Sequence, residues 1–426
     1  MTNSSWRHTA ILSPFLLFSL LARPDAAAAL DWPQYRGLRG DGISTETGLL
    51  DTWPEDGPPR LWTVPIGEAY SSVSVRGDVL CTQDADDASE YVLCARLTDG
   101  ATLWRSDLDN LFHHPHGNGS RATPTLTARR IFAISGAGRL AAFDLEGGQR
   151  LWSTSLPETL GESESLLFGY SMSPLVLDDL VIVAAGGTED RFVGAFDAAT
   201  GALRWTAGQG EPTYSTPLNV QVGDHQQVIV QSATEILAVS PTGDALWSWP
   251  WEGRPVKAAM PVLIPPDGVF VSMSYDIGGL ALQLPTGKKP ARVAWQGRAM
   301  RNHFNSSLHL DGQLYGFDNA IFKCLDAATG ELRWRQSRLG GKGSLIAADG
   351  KLIVLNERGF LRLVDADPQA YVEISGFQAL NGRSWSAPVL AHGRLLLRDQ
   401  DEMTAFDLRR PGAAQAGATE AMEASR

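Results

Sequence analysis

Cysteine is scarce in this chain, and so is every motif that would announce a reaction. Three cysteines in 426 residues, Cys81, Cys94 and Cys324, are too few to staple a fold of this length, so the core must come from packing. They form no Cys-x-x-Cys pair and no Cys-x-x-Cys-His haem site. No Gly-x-Ser-x-Gly elbow, phosphate-binding glycine loop or His-Glu-x-x-His run occurs. A basic excess is missing too. The 36 Lys and Arg are scattered against 48 Asp and Glu, for a net charge of −12, which excludes a nucleic-acid footprint.

Tight turns are abundant. With 43 Gly and 24 Pro, the chain carries a stretch that recurs, best seen at Leu325-Asp326-Ala327-Ala328-Thr329-Gly330-Glu331-Leu332-Arg333-Trp334. Asp bonds its own backbone two residues on, and Gly supplies the positive φ that closes the bend. The flanking apolar runs therefore read as a hairpin. Gly100, Gly148, Gly201, Gly243 and Gly330 each stand four residues before a Trp, and a looser copy, Leu284-Pro285-Thr286-Gly287, leads to Trp295. From Trp62 through Trp104, Trp152, Trp205, Trp247, Trp295 and Trp334 the step is 39–53 residues. A strand-and-turn unit of that length is a propeller blade. The predicted fold is all-β, a single eight-bladed β-propeller of four-stranded blades, with the Trp residues packed between blades.

Eight segments read as entries to innermost strands, from Tyr70-Ser71-Ser72-Val73 to Trp385-Ser386-Ala387-Pro388. Eight third strands follow, the last being Met403-Thr404-Ala405-Phe406-Asp407. Blade eight then lacks a fourth strand, while Arg60-Leu61-Trp62-Thr63-Val64 has no blade before it. The N-terminal strand is therefore expected to close the ring and hide its open edge. In blade seven, Glu373 falls eight residues after Asp365, where Trp is expected.

The domain boundaries follow. Residues 1–29 combine Arg7 and His8, an apolar run from Ala10 to Ala22 and Ala26-Ala27-Ala28-Ala29, as a cleaved secretory signal does. No Cys lies near the cleavage region for a lipid anchor, so the chain is expected to be exported and periplasmic. Residues 30–59 are a lead segment without clear periodicity, 60–408 the propeller, and 409–426 a tail that reads as disordered. No transmembrane segment is expected in the mature chain, and a monomer is. Cys81 and Cys94 lie on the two arms of one predicted hairpin, as a cross-strand bridge or as two half-buried thiols. At its tip, Asp84, Asp86, Asp87 and Glu90 read as solvated.

Asp-Ala-x-Thr-Gly-x-x-x-Trp in blades of this length resembles the pyrroloquinoline quinone (PQQ)-type repeat family. That family spans quinoprotein dehydrogenases and non-enzymatic propellers, including the outer-membrane assembly lipoprotein of the Bam complex. Asp31-Trp32-Pro33-Gln34-Tyr35-Arg36-Gly37, with Gly119-Ser120-Arg121-Ala122-Thr123-Pro124, is similar to poorly characterised exported bacterial members. The dehydrogenase branch implies PQQ and calcium in the channel, a catalytic Asp and commonly two adjacent bonded cysteines. This sequence has no adjacent Cys pair, and no Asp or Glu matches the calcium or base positions. No catalytic or metal residue is assigned.

In a closed ring the eight entries surround one mouth. Tyr70, Arg121, Tyr170, Tyr214, Lys257, Asn305, Lys342 and Trp385 are the candidate ligand-binding residues there, as a cationic, aromatic funnel. The alternative is that they plug the channel and satisfy one another. His113, His114 and His116 form either a metal-binding cluster or a solvated loop. The expected function is an exported, non-catalytic scaffold or ligand-binding propeller of the envelope, meeting an envelope protein or a small anionic ligand at the mouth. The alternative is a PQQ- and calcium-dependent oxidoreductase acting on alcohols or sugars.

Overall fold

Runs of four to six apolar residues, broken by turns that demand positive φ, leave no room for long helices. The computed structural model describes residues 30–162, 166–187, 190–254, 256–285 and 290–411. The expected signal segment, Thr286 and Gly287, and the tail from 412 lie outside the described residues. The rest forms eight sheets of four antiparallel strands arranged as an eight-bladed propeller. One short helix, Leu156–Leu160, is capped by Ser155. Among the described residues no helix is long and apolar enough to cross a membrane.

In each blade the two middle strands are almost wholly buried, as at Leu180–Ala184 and Val193–Asp197 of blade three. The outermost strand is half exposed. Trp62, Trp104, Trp152, Trp205 and Trp295 each pack on the turn glycine of the following blade. A Cβ added to Gly201, at φ +74°, would lie 2.6 Å from the indole of Trp152. The same contact joins Gly148 to Trp104, Gly243 to Trp205 and Gly330 to Trp295. Most of these indoles also donate Nε1–H to a carbonyl of the next blade, Trp152 to Ala198 (3.2 Å) and Trp295 to Ala327 (2.9 Å). Trp247 instead donates to the Gln227 side chain. The glycine is there because an indole occupies the space of its missing side chain.

Blade eight consists of Val389–Ala391, Arg394–Arg398, Glu402–Asp407 and, from the start of the chain, Arg60–Pro65. Thr63 pairs with Thr404, and their hydroxyls bond at 2.9 Å. In blade seven the register corrects the sequence reading. The Asp365 amide bonds Val372 across a turn two residues longer than its counterpart from Asp326 to Glu331. Ser375, not Glu373, therefore takes the register position that Trp205 holds in blade three. Phe377 seals this blade against the next, packed on Gly57 and 5.4 Å from Phe406.

Cys81 and Cys94 are register partners on adjacent strands of blade one and are joined by a disulfide. Cys324 is buried and free. Two carboxylates of the Asp84–Glu90 stretch are not solvated. Asp84 is buried against Arg105, and Glu90 accepts from Ser120 Oγ and from the amides of Phe112 and Gly136. The hairpin pairs Asp84 with Tyr91 and Glu90 with Ala85, so the two carboxylates lie on opposite faces, and both are buried.

The lead segment is a strap. Trp32 pairs with Val75, Pro33 accepts from the Leu126 amide, and Ile43 runs parallel to Ala347. Between them, Gly40 sits against Met260 and Leu218. Arg36 is 5 % exposed and donates to the carbonyls of Ser307 (2.7 Å) and Ser306. These contacts fall on the inner strands of blades one, two, four, five, six and seven, mostly near the strand ends away from the entries. The strap crosses the channel and closes it at that end.

Candidate functional site: a blind cup at the channel mouth

Ring closure brings the eight entry positions together. Tyr70, Arg121, Ser171, Tyr214, Ala258, Asn305, Lys342 and Trp385 all line one cavity of ≈ 530 Å³. Two residues further along the same strands, Ser72, Thr123, Ser173 and Thr216 also face it, as the two-residue period of an extended chain requires. These hydroxyls link blade to blade. Thr123 Oγ1 accepts from the Ser72 amide (3.1 Å), Ser173 Oγ from the Thr123 amide (2.9 Å), and Thr216 Oγ1 from the Ser173 amide (2.9 Å). Tyr35, from the strap, lies at the floor.

Two expected lining residues are elsewhere. Tyr170 and Lys257 each precede an entry residue by one and face away from the channel, whereas Phe304, at the same offset before Asn305, lines it. Tyr170 is packed among Ala122, Phe132 and Met172, and burial pushes its phenol up to about 12. Lys257 is 1 % exposed and its Nζ donates to the carbonyls of Ser232, Ala233 and Trp251. Burial pushes that ammonium down to about 7. It holds loops together and does not reach the cup.

Three cations reach the cup. Arg121 is half-buried, clamped by the Gly117 and Gly119 carbonyls (2.8 and 2.9 Å), with its guanidinium over the Tyr70 ring at 5.3 Å. Arg383 donates to the His116 carbonyl (2.9 Å) and to the Tyr70 hydroxyl (3.2 Å), and lies 4.8 Å from the Trp385 ring centre. Lys342 Nζ stands 5.6 Å from the Phe304 centroid and has no hydrogen-bond acceptor among the described residues. Burial lowers the pKa of Lys342, with Glu357 pulling the other way. Among the described residues no Asp or Glu lines the cavity. Carbonyls and rings hold the guanidiniums in the cup, while Glu90 and Glu68 act on Arg121, and Glu357 on Lys342, from outside the lining.

Aromatic rings fill the wall between them. Tyr70 lies 5.1 Å from Trp385, Phe304 5.3 Å from Trp385, and Phe168 5.6 Å from Tyr214. Tyr35, Phe168, Val256, Tyr275, His303 and Arg383 are among the lining residues that the sequence reading missed. They sit in the strap or in loops between strands, outside the repeat register, and carry no periodic signal. The three-histidine loop is not a cluster around one point. His114 and His116 pack against Phe168 instead, at 5.0 and 6.1 Å, and no metal-holding group of three His, Cys, Asp or Glu exists among the described residues. His303 is pushed down to about 4 by burial and Lys342, so it is neutral at pH 7.

Fold and cup together define an eight-bladed propeller of PQQ-type repeats with a blind, cationic, aromatic channel mouth. The family of outer membrane protein assembly factor BamB matches residues 88–315, and the chain belongs to that family. It is 22 % identical over 368 residues to the outer membrane protein assembly factor BamB of Yersinia pestis, covering 80 % of this chain and 86 % of that protein. Among solved structures it is similar to BamB from Moraxella catarrhalis, with a TM-score of 0.59, 14 % identity, and coverage of 83 % of this chain and 98 % of that one. It is also similar to the quinohemoprotein alcohol dehydrogenase of Comamonas testosteroni, with a TM-score of 0.65, 10 % identity, and coverage of 91 % and 82 %. At those identities the structural likenesses show the fold alone.

The dehydrogenase likeness raises a test of the donor set. Calcium takes six to eight oxygen ligands, carboxylates foremost. Among its described residues the cup offers hydroxyls, an Asn amide and three cations, with no carboxylate. These residues do not fit a calcium–quinone centre, and none of them is placed to act as a carboxylate base.

Proposed function

We propose that the chain is an exported, non-catalytic propeller of the cell envelope whose channel mouth takes up an anionic ligand. The observation that carries this reading is the set of Arg121, Lys342 and Arg383 converging on one cavity with no carboxylate among its described lining residues. Kinship with an outer-membrane assembly factor supports the envelope location, as does the signal-like segment at residues 1–29. A propeller body that keeps its shape while its mouth varies suits a scaffold. Carbonyl-anchored guanidiniums are pre-positioned, so an arriving anion does not have to order them.

The test uses 8-anilinonaphthalene-1-sulfonate as the anionic probe. Binding to the mature protein should be saturable and weaker at high salt, because the cations are partly exposed. Arg121→Ala combined with Lys342→Ala should abolish most of it while leaving the melting curve unchanged. Lost stability with intact binding would mean that the cations only hold the channel together. A parallel titration with PQQ and calcium, followed by dye-linked alcohol oxidation, tests the oxidoreductase alternative, and turnover there would overturn the non-catalytic reading.

A further inference from the structure

Charge is not spread evenly around the cup. All three cations come from blades seven, eight and two, as Lys342, Arg383 and Arg121. Across the opening, blades three to five contribute Phe168, Tyr214, Val256, Ala258 and Tyr275 above the deeper hydroxyls of Ser171, Ser173 and Thr216, with no charged group among these lining residues. That wall continues outward. Leu167, beside Phe168 on the same loop, is 69 % exposed, and Tyr275 is 42 % exposed. Two cations stand behind that side without lining the cavity: Arg254, over the Tyr275 ring at 5.7 Å, and Lys257, held by the Ser232, Ala233 and Trp251 carbonyls. On the cationic side Glu357 lies behind the wall, where it accepts from the Lys342 amide and from Trp385 Nε1.

A two-faced cavity selects a two-faced ligand. A bare inorganic anion would leave the wall of blades three to five facing water, and a neutral apolar molecule would desolvate Lys342 without a partner. We infer that the ligand is a small amphiphile, with one anionic head at Lys342 and Arg121 and an apolar body against Phe168, Tyr214 and Val256. The inference rests on the anion-binding reading above and names its ligand class. The strap makes the cup blind, so the apolar body lies across the cup or points out past Leu167, and does not thread the channel. A carboxylate and a phosphate monoester share the required chemistry, and both are taken as probes.

Calorimetric titration of the mature protein with decanoate, octyl phosphate, acetate and octyl glucoside tests it. Decanoate and octyl phosphate should bind one per chain, at least tenfold tighter than acetate or octyl glucoside, and whichever of the two binds tighter, once roughly fourfold is allowed for decanoate's extra methylene, identifies the head. Affinity should climb by roughly fourfold per methylene along a carboxylate series until the wall is covered. Lys342→Met should weaken both charged amphiphiles about tenfold, and Val256→Glu should flatten the chain-length dependence while leaving the melting curve in place. If Val256→Glu does not fold, Ala258→Glu serves the same purpose. Acetate binding as tightly as decanoate would overturn the amphiphile assignment and leave the anion site standing. Octyl glucoside matching decanoate would overturn the anionic head. If no anion, including the naphthalene sulfonate, depends on Arg121 and Lys342, the proposed function itself fails.

Discussion

Gly201→Ala is the sharpest probe of what holds the blades in register. The residue sits at φ +74°, where an L side chain is strained by about 1–2 kcal/mol. The new methyl would meet Cδ2 and Cε3 of Trp152 at 2.6 Å, so the indole must move. Overpacking of that kind costs about 1–3 kcal/mol. Moving the indole also stretches its bond to the Ala198 carbonyl. A total near 3 kcal/mol is expected. Gly223→Ala provides the reference, because Gly223 has φ +58° but nothing within 4 Å of the added carbon. It should lose about 1 kcal/mol from backbone strain alone. Urea unfolding followed by tryptophan fluorescence and circular dichroism measures both, and the gap of about 2 kcal/mol is the packing contribution. Equal losses in the two variants would refute the idea that repeat glycines exist to seat the preceding blade's Trp.

Four further outcomes follow from the geometry. Trp205→Ala should lose about 3 kcal/mol, at the low end for an aromatic truncation because the indole is only half-buried, and a loss under about 1 kcal/mol in denaturation would show that it seals nothing. Deleting residues 31–64 removes the strap and the closing strand, so size-exclusion chromatography should show association through the bared Glu402–Asp407 edge. Replacing Cys81 and Cys94 with Ser should lose about 3 kcal/mol in the absence of reductant, from the short loop they close. Lys257→Met should leave three carbonyls without their donor and lower stability by about 2–3 kcal/mol without touching anion binding. Because burial holds Lys257 near 7 in the folded chain against about 10.4 unfolded, the unfolded state binds more protons between those values. Stability should therefore rise with pH across that window in the parent protein, and a Lys257→Met variant with the same slope would show that another group sets it.

The ring was legible in the sequence because turn chemistry and side-chain volume repeat together. A Gly four residues before five of the seven Trp residues is the imprint of one contact made again and again. The entry positions were legible for the same reason, since equivalent places in a closed ring must converge. Tyr170 and Lys257 were misplaced because one residue of displacement in an extended chain reverses their side chains, although not that of Phe304. Blade seven misled through a two-residue insertion, which shifted the register onto Ser375 while Phe377 took over the sealing. The strap could not be read at all. Trp32, Tyr35 and Arg36 follow no period, because their places are set by six different inner strands and not by neighbours in sequence.

The pairing of Arg60–Pro65 with Glu402–Asp407 has a consequence for how the molecule comes into being. A chain that emerges from its N-terminus presents the closing strand first and must wait for nearly the whole sequence before that strand finds its partner. Until then seven blades can assemble, but the growing stack has a bare edge at each end. The closing contact is as non-local as this chain allows, and such contacts form late. Its entropic penalty grows only with the logarithm of the intervening length, so the wait is a matter of time more than of free energy. The vulnerable species is thus an almost complete ring, and the demand for protection against association peaks just before the last blade arrives.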